Sequence, residues 1–349
     1  MDQPPLPEIE PYVNRNLFSD HFLRIVLPGR EAWEVEQDKV KLAMQAVTNL
    51  YAGREDEWSS SNEAQLEDKL IRLALQALGH HFEVQPSLPT ADTVSRPDYA
   101  FFRTDEERQR AKKEHEGEVE YFEKAIAIGD AKRWDRPLDK GERGSRDKFD
   151  RLSPSWQMDY YLRMSGVKWG ILTNGRLWRL YNQDTSFRLD ICYEIDLPRL
   201  LAAKDLVTFK YFYLFFTRQA FVPDAEGLCF LDRVYQGSLE YAQAVGGDLK
   251  ENVYKALRLL AEGFLHTQGN SLDPVHDLDD IHANSLVLLY RLLFINYAED
   301  RSLLPRDNPL YKDSYGLVSM EREIASKLQR GDSLSPLHMT YWGKLKTLF

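Results

Sequence analysis

The stretch Ile126-Ala-Ile-Gly-Asp-Ala-Lys-Arg-Trp134 constrains the fold more than any other part of the chain. It begins as a short apolar run that reads as a buried strand. It ends in Asp130-Ala-Lys132. Side chains alternate along a strand, so Asp130 and Lys132 point to the same side. A carboxylate and an ammonium therefore stand together at the end of a rigid element. A second candidate strand lies upstream, Ser95-Arg-Pro-Asp-Tyr-Ala-Phe-Phe102, and carries Pro97-Asp98. Two acids and a lysine on neighbouring strands are what a magnesium-dependent phosphodiesterase needs. The acids supply oxygen ligands. The metal polarises the phosphate and helps form hydroxide. The lysine adds positive charge or orients the attacking water.

The elements around these residues follow from local signals. Asn62 to Gly79 is an amphipathic helix with an apolar stripe of Leu66, Leu70, Leu73, Ala74, Ala77 and Leu78, stopped by glycine. Glu63 and Glu67 lie one turn apart near the edge of that stripe. His80 and His81 are adjacent, project differently and read as structural or surface residues. His81 to Pro86 is a short strand. Asp105 to Glu123 has mixed charge and almost no apolar stripe, as in an exposed helical insertion. Its Arg108, Arg110, Lys112 and Lys113 offer a secondary reading as nucleic-acid contacts. Arg133 to Arg151 is loop-like, either a surface loop or one that closes over a phosphate backbone.

Pro154 suits the first turn of a helix. On that helix Gln157 and Tyr161 share a face. Val167 to Thr173, Asn174-Gly175 and Leu177 to Tyr181 carry the strongest short hairpin signal. Cys192 to Leu197 reads as a further strand ended by Pro198. From about residue 200 the period becomes helical. Phe209 to Phe216 reads as a buried helix or an interface. Asn284 to Ala298 is apolar on nearly all sides, as expected of a helix buried in a bundle or under another domain.

A chain of 349 residues, 43% hydrophobic and 29% charged, supports about two domains with ordinary cores. Cys192 and Cys229 are far apart and form no zinc spacing, so both read as reduced thiols, which suits the cytoplasm. No apolar run reaches the roughly 18 residues of a membrane span. The net charge of −10 does not favour DNA binding by the whole surface, so a DNA-cutting reading requires a local basic face and a metal.

Pro97-Asp98 followed by Asp130-Ala-Lys132 resembles the PD-(D/E)XK nuclease signature. Ser153-Pro-Ser-Trp-Gln-Met-Asp-Tyr-Tyr161 is similar to the glutamine-plus-tyrosine helix that follows the lysine strand in such nucleases. Gly166 to Tyr181 is similar to the strand pair after it. Tyr290-Arg-Leu-Leu-Phe-Ile-Asn-Tyr-Ala-Glu-Asp-Arg-Ser-Leu-Leu-Pro305 resembles the helical connector of Eco57I-like single-chain restriction-modification enzymes, and Asn16 to Leu23 fits their N-terminus. One departure is that Asp130 stands where glutamate is commoner.

The resemblance implies an α/β restriction-endonuclease-like mixed-sheet core followed by an α-helical domain. It implies an N-terminal helical segment over 1–60, a nuclease domain over 61–200 and a helical connector over 201–349. It assigns magnesium, or manganese, to Asp98 and Asp130, with an acid of the first helix, Glu67 or Glu63, assisting. Lys132 assists the nucleophile, and Gln157 with Tyr161 orients the site or contacts phosphate. Loss of Lys132 is expected to leave the fold intact. The implied partners are double-stranded DNA and, in cis or in trans, target-recognition and methyltransferase domains. The S-adenosylmethionine loop and Asn-Pro-Pro-Tyr motif of the latter are absent from this chain. Two other readings stand beside this one: a non-cutting DNA-binding or scaffold module with the same fold, and an RNA-directed nuclease.

Overall fold

Strands form where apolar residues alternate or cluster between turn residues. They are β1 (Val13–Arg15), β2 (His81–Val84), β3 (Leu88–Pro89), β4 (Val94–Ser95), β5 (Tyr99–Phe102), β6 (Ala127–Ala131), β7 (Trp169–Thr173), β8 (Leu177–Asn182) and β9 (Cys192–Asp196). β3 and β4 make a separate ribbon, and the others make one seven-stranded sheet ordered β1-β9-β8-β7-β6-β5-β2. The sheet is mixed: β6 and β7 run parallel and the remaining neighbours antiparallel. The computed structural model describes residues 10–349 except 35–36, 90–93, 143, 145–150, 268, 301–302, 306–307 and 333–338.

The helices are α1 (Gln37–Tyr51), α2 (Glu55–Ser60), α3 (Glu63–Leu66), α4 (Arg72–Ala77), α5 (Asp105–His115), α6 (Glu120–Glu123), α7 (Pro154–Ser165), α8 (Leu197–Ala202), α9 (Leu206–Phe216), α10 (Phe230–His266), α11 (Leu278–Asp300), α12 (Pro309–Ser314), α13 (Leu317–Gln329) and α14 (Thr340–Leu348). A π-helical turn, Glu67–Ile71, joins α3 to α4, so the expected single helix carries one widened turn. Asn62 starts it with a capping box in which its side chain accepts from Gln65 N and the Gln65 side chain accepts from Asn62 N. Gly79, at φ +79°, follows its end.

Alternation along the strands divides the core between the two faces of the sheet. Leu66, Leu70, Tyr99, Phe101, Ala127, Ala131, Trp178, Tyr193, Phe212 and Phe215 are buried together on one side. Ala100, Phe102, Ile128, Met158, Leu162, Leu172, Tyr181 and Cys192 are buried together on the other. α7 lies across the second face, against β6, β7 and β8. It packs tightly over Gly170, where a Cβ would stand 2.4 Å from Met158 Sδ. Burying each such large side chain contributes roughly 1.5–3 kcal/mol.

Several expectations are corrected. The chain forms two compact units, 1–243 and 244–349. The segment expected to be helical up to residue 60 contributes β1, which pairs with β9 at the sheet edge. α8 and α9 belong to the first unit, with Leu197, Leu200, Phe209, Phe212 and Phe215 in its core. The strand expected over 95–102 is broken. Ser95 pairs in the ribbon and β5 begins only at Tyr99, because Pro97 has no amide to donate and restrains Arg96. The charged insertion is less solvated than its composition suggests: Ala111, Tyr121 and Phe122 are buried. Arg108 and Lys112 are both paired with Glu83 on the edge strand β2.

In the second unit Ile295, Leu317 and Met320 are buried together. The Glu299 carboxylate accepts from the amides of Leu317 and Val318 at 2.7 and 3.2 Å, which places an acid at the start of α13. α11, expected to lie in a bundle or under another domain, is covered unequally: Ile281, Ile295 and Ala298 are buried, while Val287, Tyr290, Leu293, Phe294 and Tyr297 are exposed. Its apolar residues serve two sides, and one of those sides faces outward. Arg301 and Ser302, in the expected connector, lie outside the described residues. Among the described residues no helix is long and apolar enough to cross a membrane.

Candidate active site

β5 and β6 pair antiparallel with Tyr99 opposite Gly129 and Ala100 opposite Ile128. Extending that register by one step sets Asp98 across from Asp130. The two acids are tied together through the backbone: Ala131 N donates to Asp98 Oδ2 at 2.8 Å. Asp130 is buried and its Oδ2 lies 2.5 Å from Lys132 Nζ. The strand does not stop at Ala131 in effect, because Lys132 N donates to Thr173 O at 2.8 Å. Pairing with β7 thus holds Lys132 in the strand's alternation and on the face of Asp130.

The helix acids reach the same place from α3 and the π-helical turn. Glu63 Oε2 accepts from Arg133 N at 3.0 Å, the amide that follows Lys132. Glu67 is buried, and its Oε2 accepts from Tyr99 OH at 2.9 Å and from Arg72 at 3.5 Å. Each acid therefore grips the residue immediately after a site residue, Glu63 beyond Lys132 and Glu67 beyond Asp98.

Charge is concentrated here. Burial, then the neighbouring Asp130, pushes the Asp98 carboxyl well above the usual carboxylate range, only partly opposed by Lys132. Burial also raises Glu63, against the pull of Lys132. Burial alone would lower Lys132, but the charges of Asp130, Asp98 and Glu63 outweigh it and hold the amine above its ordinary value. Lys132 is a fixed cation in an acid-rich pocket.

Gln157 and Tyr161 lie buried on α7. The Tyr161 hydroxyl donates to Arg96 O at 3.2 Å, two residues before Asp98, so Tyr161 anchors the turn that presents that acid. The segment after Lys132, expected to be an open loop, is packed at its start. Trp134, Arg136 and Leu138 are buried. Asn174 Nδ2 donates to Arg136 O, and Leu138 O accepts from both the amide and the hydroxyl of Ser155. The remainder of that expected loop includes 143 and 145–150, outside the described residues. Gly175, at φ +80°, forms the expected hairpin turn. His80 is structural: it is buried and its Nε2 lies 2.7 Å from Phe216 O.

The proposed three-acid set of Asp98, Asp130 and Glu67 is not a closed metal cage. Among the described residues no group of three His, Cys, Asp or Glu side chains is arranged to hold an ion by itself. The reason is local, since Glu67 is turned to Tyr99 and Arg72. Magnesium, however, is usually held by one or two carboxylates, water and substrate phosphates. Asp98 and Asp130 provide that donor chemistry, and their mutual repulsion is what a cation would relieve. Sequence reasoning missed Tyr99 and Arg72. A tyrosine beside the site acid was the available signal.

No protein-family model matches this chain, and no curated protein matches it. Among solved structures, the cryoEM structure of a DrdV–DNA complex is similar at a TM-score of 0.30 and 13% identity, over 90% of this chain and 26% of that one. The chain spans about a quarter of that protein's length.

Proposed function

We propose that the first unit is a PD-(D/E)XK-type, metal-dependent nuclease that hydrolyses phosphodiester bonds of DNA. The observation that carries this reading is Asp98 set across from Asp130 by strand register, with Lys132 on the same face and Glu63 and Glu67 behind. Asp98 and Asp130 would hold the ion, magnesium or manganese, which when bound supplies Lewis-acid polarisation of the phosphate. Water attacks phosphorus and one P–O ester bond breaks, leaving a phosphate monoester and an alcohol. Lys132 is held protonated, so its role is to stabilise negative charge that develops on the phosphate. Tyr161 keeps the Asp98 turn in register.

The exposed apolar side of α11 supports a partner on the second unit, since large exposed apolar patches mark interfaces. A methyltransferase with its target-recognition domain, in cis or in trans, is the partner this reading assigns. Restriction of foreign DNA is the corresponding role.

A second reading, a non-cutting module of the same fold, is favoured by one observation: Lys132 already answers the charge of Asp130 at 2.5 Å. One experiment separates the two. The full chain, with a methyltransferase and recognition partner supplied, is incubated with unmethylated double-stranded DNA or with RNA, in magnesium or in chelator. Magnesium-dependent cutting of DNA by the wild type and its loss in Asp130→Asn is the expected result. Cutting of RNA alone reassigns the substrate. Equal results in magnesium and chelator overturn the nuclease reading.

A further inference from the structure

Tyr99 follows Asp98 directly, and alternation sends its ring to the opposite face of the sheet from that acid. There it lies over β6 at Gly129, where an added Cβ would stand 3.2 Å from Tyr99 Cδ2 and 2.8 Å from Phe101 Cε2. The two rings stack at 6.0 Å between centroids. The bare glycine surface lets the tyrosine reach across to the helix, where its hydroxyl meets Glu67 at 2.9 Å. Glu67 opens the π-helical turn, a distortion often found at functional sites. Arg72, one turn on, completes the grip. Glu67 is among the charges acting on Asp98.

We propose that Tyr99 is a positioning residue. Its hydroxyl, with Arg72, fixes the Glu67 carboxylate behind the strand that carries Asp98 and so sets how tightly this end of the sheet holds a divalent cation. The inference rests on the metal-dependent reading of the site. Glu67 would act as an outer acid, adding negative charge near a bound cation without ligating it. Outer groups of this kind typically change metal affinity 10–100-fold when removed.

The test is manganese binding by calorimetry on the full chain, with no substrate present. Tyr99→Phe keeps the ring, and its melting temperature should stay within a few degrees of the wild type. Its manganese affinity should fall about 10–100-fold. In a Glu67→Gln background, Tyr99→Phe should cause no further loss, because it acts through that carboxylate. Should Tyr99→Phe itself fold poorly, Arg72→Met removes the other donor and should weaken binding in the same direction. Wild-type affinity in Tyr99→Phe, or an equal loss with and without Glu67, overturns the positioning role alone. A wild type that binds no manganese overturns the metal-dependent reading and the positioning role together.

Discussion

Asp98 Oδ2 accepts a hydrogen bond from the backbone amide of Ala131, the residue between Asp130 and Lys132. One acid is thereby fixed to the backbone that presents the other. The Ala131 amide and the Lys132 ammonium compensate part of the charge the two acids bring together.

Asp98→Asn is expected to raise stability while abolishing divalent-cation binding. Asparagine can still accept from Ala131 N, but the repulsion from Asp130 and the burial of a charge are gone. Because the folded carboxyl lies above its unfolded value, the wild type's penalty grows as pH rises above the ordinary carboxylate range. A melting temperature roughly a few degrees above wild type at pH 7, with the advantage disappearing in acid, is the expected pattern. Thermal melts across that range check it.

Lys132→Met should cost more than activity. The sequence alone suggests a cation beside a metal site, not a packing element, whose loss spares the fold. The structure instead sets a partly buried Lys132 against the buried carboxylate of Asp130. Removing one member of such a pair leaves an uncompensated charge, at about 3 kcal/mol or more. Adding Asp130→Asn should recover much of that stability but none of the cleavage, which should fall at least ~10²-fold in either variant. Urea denaturation of the two variants decides whether Lys132 has a structural role.

His80 gives the first unit an acid-sensitive joint. Burial pushes its imidazole down to about 4, and Phe216 O lies 2.7 Å from Nε2, consistent with a neutral ring that donates there. The unfolded chain takes up the proton first, near pH 6.5. Stability is therefore complete above about pH 6.5 and falls as pH drops toward 4, by about 3 kcal/mol in all. His80→Gln should lack this loss. Denaturation midpoints of both proteins at pH 7, 5.5 and 4.5 provide the comparison.

Gly129→Ala should destabilise the first unit by about 1–3 kcal/mol through overpacking. The new methyl would meet the rigid ring of Phe101 at 2.8 Å. A second change, Phe101→Leu, removes that ring edge and should make the alanine cheaper to accommodate than it is in the wild-type background. A double-mutant cycle in chemical denaturation measures the coupling.

The chain's local signals determine much of this. Alternation alone puts Asp130 and Lys132 on one face, and pairing with Thr173 keeps them there. Asn62, Gly79 and the Asn174-Gly175 turn mark element boundaries through capping and positive φ, which are properties of a few neighbouring residues. Relations across long separations had no such signal. Asp98 meets Asp130 through strand register, and β1 joins the sheet through a partner some 180 residues away. The choice between Glu63 and Glu67 was equally out of reach: both lie on one helix, and what distinguishes them is which strand's donor each meets. α11 shows the same limit, since its composition specifies two apolar sides but not which of them is covered. Periodicity acts within a segment, whereas register, burial and hydrogen-bond partnership arise only when distant segments compete for the same space.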